Sequence, residues 1–376
     1  MPVYLDNAAT TKPCAPAVDA AVAAMTENFG NPSSLHRAGL DAQLVVDRAR
    51  KIIADSVGAS PENIIFTSGA TESNNLALRG ASAAYGRKRR KIVVSAVEHA
   101  SVDETASALE KSGFEVVRIS PHEDGKIYAA DFLAACDENT CLVSMMLVNN
   151  ETGYILPVKE TFSAVKRRFP DIITHCDCVQ GYMKLPVRVG ALCADLMSLS
   201  AHKIHGVKGA GALYIKKGIR VLPVVTGGKQ EKGIRSGTES VPMIAAFAAA
   251  AEALAPTIAQ RSQRASELKK HLLSRLSEIP QISVNSPDDG SPYIINISAE
   301  GKRSEIMLHF LESREIYVSS GSACSKGVQS GVLGMFGITG KRADSALRIS
   351  ITAETTENEL DLFVSALSEG LEKLRG

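Results

Sequence analysis

An α/β fold on a mostly parallel sheet is predicted for this chain by two observations. From about residue 60 to 216, short β-rich runs alternate with helical stretches. Each run then ends in polar residues, as strands do where an open α/β sheet holds its ligand beyond their carboxyl ends. The runs are "NIIFT" (63–67), "KIVVSA" (91–96), "CLVSMML" (141–147), "DIITHC" (171–176) and "LMSLS" (196–200). Stretches such as "ESNNLALRGASAAYG" and "VKETFSAVKRRF" supply the covering helices. The Ala-rich run that begins "VPMIAAFAAAAEALAPTIAQ" reads as one long helix or two, leading into a second unit. That unit holds "YIINIS", "SEIMLHFLES" and "EIYVSS" and closes on the amphipathic "TTENELDLFVSALSEGLEKLR", which makes it a smaller α+β piece.

Bulk properties exclude several classes. The chain has 376 residues, enough for a large core and two domains, with 45% hydrophobic and 22% charged residues. Basic and acidic residues nearly cancel, 42 against 41, so neither a nucleic-acid partner nor a membrane surface is expected. Seven cysteines at irregular spacing do not form a secreted disulfide framework. The start "MPVYLDNAATTKPC" lacks the basic and apolar regions of a signal peptide. The expected location is the cytoplasm, with reduced thiols.

The strand endings carry the chemistry. After "NIIFT" come Ser68, Gly69, Ala70 and Thr71, then a helix. A small-residue turn into a helix N-terminus makes a phosphate cup, or else Thr71 merely caps the helix. The later strands end in Glu98 and His99, in Asn149 and Asn150, in Asp177 and Gln180, and in His202 and Lys203. Asp177 and Lys203 form either a structural ion pair or two parts of a pyridoxal phosphate site. That cofactor needs a lysine for its aldehyde, a carboxylate for its ring nitrogen and donors for its phosphate. Thr71, Ser200 and His202 could serve the phosphate, and His99 could cover a ring face. "GMFGITGKR" fails as a nucleotide loop, because its spacing is off and Arg342 stands where Ser or Thr is required. "HCDC" (175–178) with Cys193 is either a metal cluster or alternating strand residues; no second pair stands at zinc-like spacing, and no metal is expected. Cys324, in "YVSSGSACSKGV", lies among glycines and serines, which suits a thiol that must be reached or must travel, or a loop cysteine of no consequence.

The segments "YLDNAATT", "NPSSLHRAG", "FTSGATESNNLA", "EHASV", "VNNETG", "HCDCVQ", "SLSAHKIHGVKGAGALYI", "RSGT" and "SSGSACS" occur in the order seen in cysteine desulfurases. The chain therefore resembles that branch of the class V aminotransferases, from Tyr4 into the last helix. The resemblance implies fold-type I of the pyridoxal-phosphate enzymes, with a seven-stranded, mostly parallel sheet in a large domain (15–255). A small domain would combine 1–14 with 256–376. It implies that Lys203 is the Schiff-base lysine, Asp177 the pyridinium partner, Gln180 the partner of the ring hydroxyl and His99 the stacking residue. Ala70, Thr71, Ser200 and His202 would hold the phosphate, joined by Thr238 from a neighbouring subunit, which implies a homodimer. Asn150 and Arg348 would hold the substrate carboxylate, and Cys324 would be the nucleophile. The implied reaction turns L-cysteine into L-alanine and leaves a persulfide on Cys324 for a sulfur-acceptor protein, in iron–sulfur cluster assembly or thiolation. The rivals are a selenocysteine or cysteine-sulfinate lyase, a transaminase of the same fold, and a non-catalytic carrier of sulfur or metal.

Three departures from the family pattern stand out. Lys229 replaces a customary glycine in "GGKQEKGIRSGT". Cys178 and Val179 stand where small or hydroxylated residues are common. The segment after Cys324 is short, with glycines at 327, 331, 334, 337 and 340. Those glycines predict a loop able to swing, whereas packing of "SGVLGMFGI" as a short apolar helix would pin the cysteine.

Overall fold

The computed structural model describes residues 2–320 and 331–374. Among these residues thirteen strands run in chain order: β1 (Val3–Tyr4), β2 (Ile64–Thr67), β3 (Lys91–Ser95), β4 (Glu115–Ile119), β5 (Thr140–Met146), β6 (Ile173–Asp177), β7 (Leu196–Ser200), β8 (Gly211–Ile215), β9 (Ile282–Val284), β10 (Ile294–Ala299), β11 (Ile316–Tyr317), β12 (Ser319–Ser320) and β13 (Ala346–Ser350). The large sheet has seven strands in the order β2-β8-β7-β6-β5-β3-β4. Only β8 runs against its neighbours, pairing antiparallel with both β7 and β2. β5 to β8 are buried along their whole length, as strands covered by helices on both faces must be.

β6 and β7 are joined in parallel, with Asp177 opposite Ser198. This register brings the ends of the strands carrying Asp177 and Ser200 to one edge of the sheet. The helix Ala70–Tyr85 lies across the sheet and buries Leu76, Ala77, Leu78 and Ala81. The Ala-rich run forms two helices, Val241–Leu254 and Ile258–Leu276, joined by a short 3-10 turn at Ala255–Thr257 that contains Pro256. By length and composition Val241–Leu276 could cross a membrane. Its Phe247, Ala250 and Ala251 instead belong to the same buried core as Ala17, Ala21 and Ala24 of the helix Ala15–Thr26.

The second unit is a four-stranded sheet in the order β12-β13-β10-β9, antiparallel throughout. The N-terminal arm stitches the two units together. β1 pairs in parallel with β11, Asn7 donates its amide to the Ser350 carbonyl at 2.9 Å, and the Thr11 N–H donates to the His202 carbonyl at 2.9 Å. Gly331–Met335 is helical and buries Leu333 against Ile338, Ala343 and Ala346. Cys324 lies outside the described residues, and so does the expectation of a swinging loop around it.

Candidate active site

A cavity of about 740 Å³ opens at the ends of the strands, between the N-terminal arm and the start of the helix Ala70–Tyr85. Its wall contains Ala70, Thr71, His99, Asn150, Asp177 and Gln180, and it also contains Ser200, His202, Lys203 and Arg348. The structure thus brings these ten sequence candidates together. Thr238 is not among the lining residues and is exposed.

The anion end is built by glycines. Gly69, at φ 156 and ψ 178, precedes the helix in a conformation that few side chains tolerate. The backbone opposite must come close: a Cβ on Gly211 would sit 2.7 Å from the Gly69 backbone. The first N–H groups of the helix are left facing the cavity. Glu72 caps the turn by accepting the Ser68 N–H at 2.7 Å and pairs with Arg235 at 2.8 Å. The Ser200 hydroxyl is buried without a partner among the described residues.

Asp177 is the last residue of β6 and is buried. Its Oδ2 accepts Asn74 Nδ2 at 2.7 Å and its Oδ1 accepts the Val179 N–H at 3.0 Å. No ion pair joins it to Lys203 among the described residues. Lys203 Nζ donates instead to the carbonyls of Ala8 at 2.5 Å and Ala9 at 2.6 Å. Burial, and then the Arg348 charge, push the Lys203 ammonium down to about 8. The nearby Glu98 is held up to about 8, chiefly by burial, and is therefore mostly neutral at pH 7. His202 is pushed down to about 4 by burial and by Lys203, and is neutral at physiological pH.

His99 caps the helix Ala100–Lys111 by accepting the Ser101 N–H on Nδ1 at 3.1 Å. A backbone N–H can only donate, so Nδ1 is an acceptor and the neutral ring carries its proton on Nε2. The Ser101 hydroxyl, 2.8 Å from the same nitrogen, donates to it as well and accepts Asn74 Nδ2 at 2.8 Å. Asn74 and Ser101 therefore link His99 to Asp177. Sequence reasoning missed both, although Asn74 lies one helical turn beyond Thr71 on the same helix.

Arg348 sits in β13 with its guanidinium at the cavity wall. It donates to the Asn150 carbonyl at 3.1 Å and to Asp6 Oδ1 at 2.9 Å. Its Nε is buried without a partner among the described residues, so donor capacity remains for an incoming carboxylate. Asn149, beside Asn150, is a turn builder, accepting the N–H groups of Glu151 and Thr152. "HCDC" ends β6, with Cys178 directly after it: His175 bonds Ser144 and Ser198, and the Cys176 and Cys178 sulfurs lie 3.3 Å apart in the core. Among the described residues no three His, Cys, Asp or Glu side chains gather as a ligand set.

Comparison with known proteins agrees with this geometry. The family description "Aminotransferase class-V" matches residues 3–363. A "NifS/IcsS protein homolog" of Lactobacillus delbrueckii subsp. bulgaricus is 40% identical, over 98% of this chain and 96% of that protein. A "Cysteine desulfurase IscS" of Methanosarcina thermophila is 37% identical, over 99% and 93%. The solved structure titled "NIFS-LIKE PROTEIN" superposes with a TM-score of 0.94 at 34% identity, covering all of both chains. Site geometry, full-length match and shared fold lead to one assignment: the chain belongs to the class V aminotransferase family.

Proposed function

We infer that the protein is a cysteine desulfurase that converts L-cysteine to L-alanine and carries the sulfur on Cys324 as a persulfide. The observation that supports this most directly is the convergence of Lys203, Asp177 and a glycine-fed helix N-terminus on one cavity, with Arg348 at its wall. The residues fit pyridoxal phosphate. The Ser200 hydroxyl and the first helix amides offer donors to an anion, the Asp177 carboxylate is buried and anchored, and among the described residues Lys203 donates to carbonyls. When bound, the cofactor supplies an electron sink that loosens the α-proton and then the Cβ–S bond of the substrate.

The rest is work for the chain's own side chains. Ala70, Thr71, Ser200 and His202 hold the phosphate. With the cofactor bound, Asp177 would keep a proton on its ring nitrogen, Gln180 would bond its ring hydroxyl and His99 would cover its ring. Asn150 and Arg348 orient the substrate carboxylate. Lys203 would hold the aldehyde end of the cofactor and, when free, would take the α-proton of the substrate. The Cys324 thiolate attacks the substrate sulfur; an S–S bond forms, the Cβ–S bond breaks, and its electron pair stays on carbon to be protonated as alanine. We further propose a homodimer, with Thr238 serving the partner's site, a larger domain at 15–255, and a smaller one from 1–14 and 256–376. A protein acceptor would take the sulfur, and the cytoplasm suits a thiol that must be regenerated reduced.

Cys324→Ser tests the assignment. The spectral change on adding L-cysteine should survive, because neither binding step needs the thiol. Alanine and sulfide should fall to background, and mass mapping of the wild type should find one added sulfur on Cys324. Alanine formation retained by the serine protein would overturn the desulfurase reading.

A further inference from the structure

Lys184 is a charged residue in the core that the mechanism above does not use. It is 9% exposed, four residues after Gln180 in the turn that follows β6. Its Nζ donates to Gln180 Oε1 at 2.9 Å, its one hydrogen bond among the described residues, and lies 6.0 Å from the centre of the Tyr293 ring. The charges that face it are Lys203 and Arg348, both cations. Burial and these two neighbours push its ammonium down to about 7. The preceding residue, Met183, is buried with φ 58, a left-handed backbone that non-glycine residues adopt at a penalty. An amine placed so unfavourably, on so few partners, calls for a reason beyond packing.

We propose that Lys184 is the positioning residue for Gln180, fixing which end of its amide faces the cavity. Lys184 can donate in either protonation state, and the end of Gln180 that it meets is Oε1, at 2.9 Å. On the other side Gln180 Nε2 donates to the Ala8 carbonyl at 2.9 Å, and a carbonyl only accepts. The two contacts agree, and the amide cannot flip. One N–H remains on Nε2 for the cavity, so Gln180 presents a donor and selects an acceptor atom on the ligand. In its protonated form Lys184 also polarises the amide and strengthens that donor. This inference rests on the reading of Gln180 as the partner of the cofactor's ring hydroxyl oxygen.

The test is a double-mutant cycle on the full-length apo-protein, titrated with pyridoxal 5'-phosphate and read by absorbance. Lys184→Met, of similar volume, should weaken cofactor binding roughly tenfold, as loss of an outer partner does, and should move the band of the bound cofactor. Gln180→Ala should do both, and the double variant should be no worse than Gln180→Ala alone. Lys184→Gln, whose amide can still donate to Oε1, should recover most of the affinity. Losses that add in the double variant would overturn the proposal while leaving the Gln180 reading intact. So would wild-type affinity and spectrum in Lys184→Met, or a Lys184→Gln protein no better than Lys184→Met. A Gln180→Ala protein with unchanged affinity and spectrum would remove both.

Discussion

Asp177 accepts two hydrogen bonds, and an asparagine in its place could keep only one of them. Its two oxygens take the Asn74 amide and the Val179 N–H. An amide has a single oxygen, and its NH₂ would meet a donor at the other contact. Asp177→Asn should therefore lose about 1 kcal/mol of local anchoring and the charge that holds a proton on the ring nitrogen. We expect cofactor still bound but turnover down roughly hundredfold, in the range of a lost proton-transfer group. Unchanged turnover with full cofactor content would assign that proton to another residue. Lys203 gives a second test at this scale. Its folded value near 8 lies below the ordinary 10.5, so the neutral, nucleophilic amine is scarce at pH 7 and dominant at pH 9. The rate at which apo-protein captures pyridoxal phosphate should rise about tenfold between pH 7 and pH 9 and then level off. The sign for stability is the reverse of a salt-bridged lysine: the buried charge disfavours the fold below about 8, and the penalty fades as pH rises toward 10.5. Arg348→Ala removes one cause of the depression and should move the capture midpoint upward.

Among the elements, the loop 227–238 is held by one buried ion pair. Glu231 takes two hydrogen bonds from Arg50 of the helix Arg37–Val57, at 2.7 and 2.8 Å, and a third from the Phe66 N–H at 3.0 Å. Both side chains are nearly excluded from solvent. Glu231→Ala would strand a buried guanidinium and an unpaired strand N–H, so we expect a loss of about 3–5 kcal/mol, read as a lower urea midpoint with unchanged slope. Lys229 in this loop has φ 65, the left-handed region, which explains why a glycine is customary there. The same contrast governs what could be read in the chain. The five runs taken as strands are apolar over most of their length, and β5, β6 and β7 among them are buried throughout. β4 escaped because it is an edge strand whose Glu115 and Arg118 break the apolar pattern. β8 escaped because close approach to Gly69 demands small residues that look like a turn. In the site, residues at strand ends were legible because the sheet brings them to one cavity. Asn74, Ser101 and Lys184 were not, because each acts through another side chain, and spacing along the chain does not show such a contact.

At the scale of the molecule, one face remains uncovered. The helix Ala15–Thr26 exposes Val18, Val22 and Met25 at helical spacing, the helix Arg37–Val57 exposes Leu40 and Leu44, and Phe29 and Leu35 project between them. So many exposed apolar side chains on two helices and the segment joining them point to an interface, and the occupant we propose is a second copy of the chain. Thr238 is exposed and absent from the wall of its own subunit's cavity, and on the proposed reading it would serve the site of that copy. Mixed dimers separate a shared site from a self-contained one. A Lys203→Ala chain cannot hold the cofactor aldehyde, and a Thr238→Ala chain should bind the phosphate more weakly. In a dimer of one of each, the site with intact Lys203 receives intact Thr238 only if the threonine crosses the interface. Half of the sites would then bind pyridoxal phosphate with wild-type affinity, and the mixture would turn over L-cysteine where the Lys203→Ala protein alone does not. If Thr238 served its own subunit, the surviving sites would keep the weakened affinity of the Thr238→Ala homodimer. Cofactor titration of co-expressed, differently tagged chains measures the difference, and sedimentation of a Val22→Asp, Leu44→Asp protein should show monomers that have lost cofactor affinity with the interface.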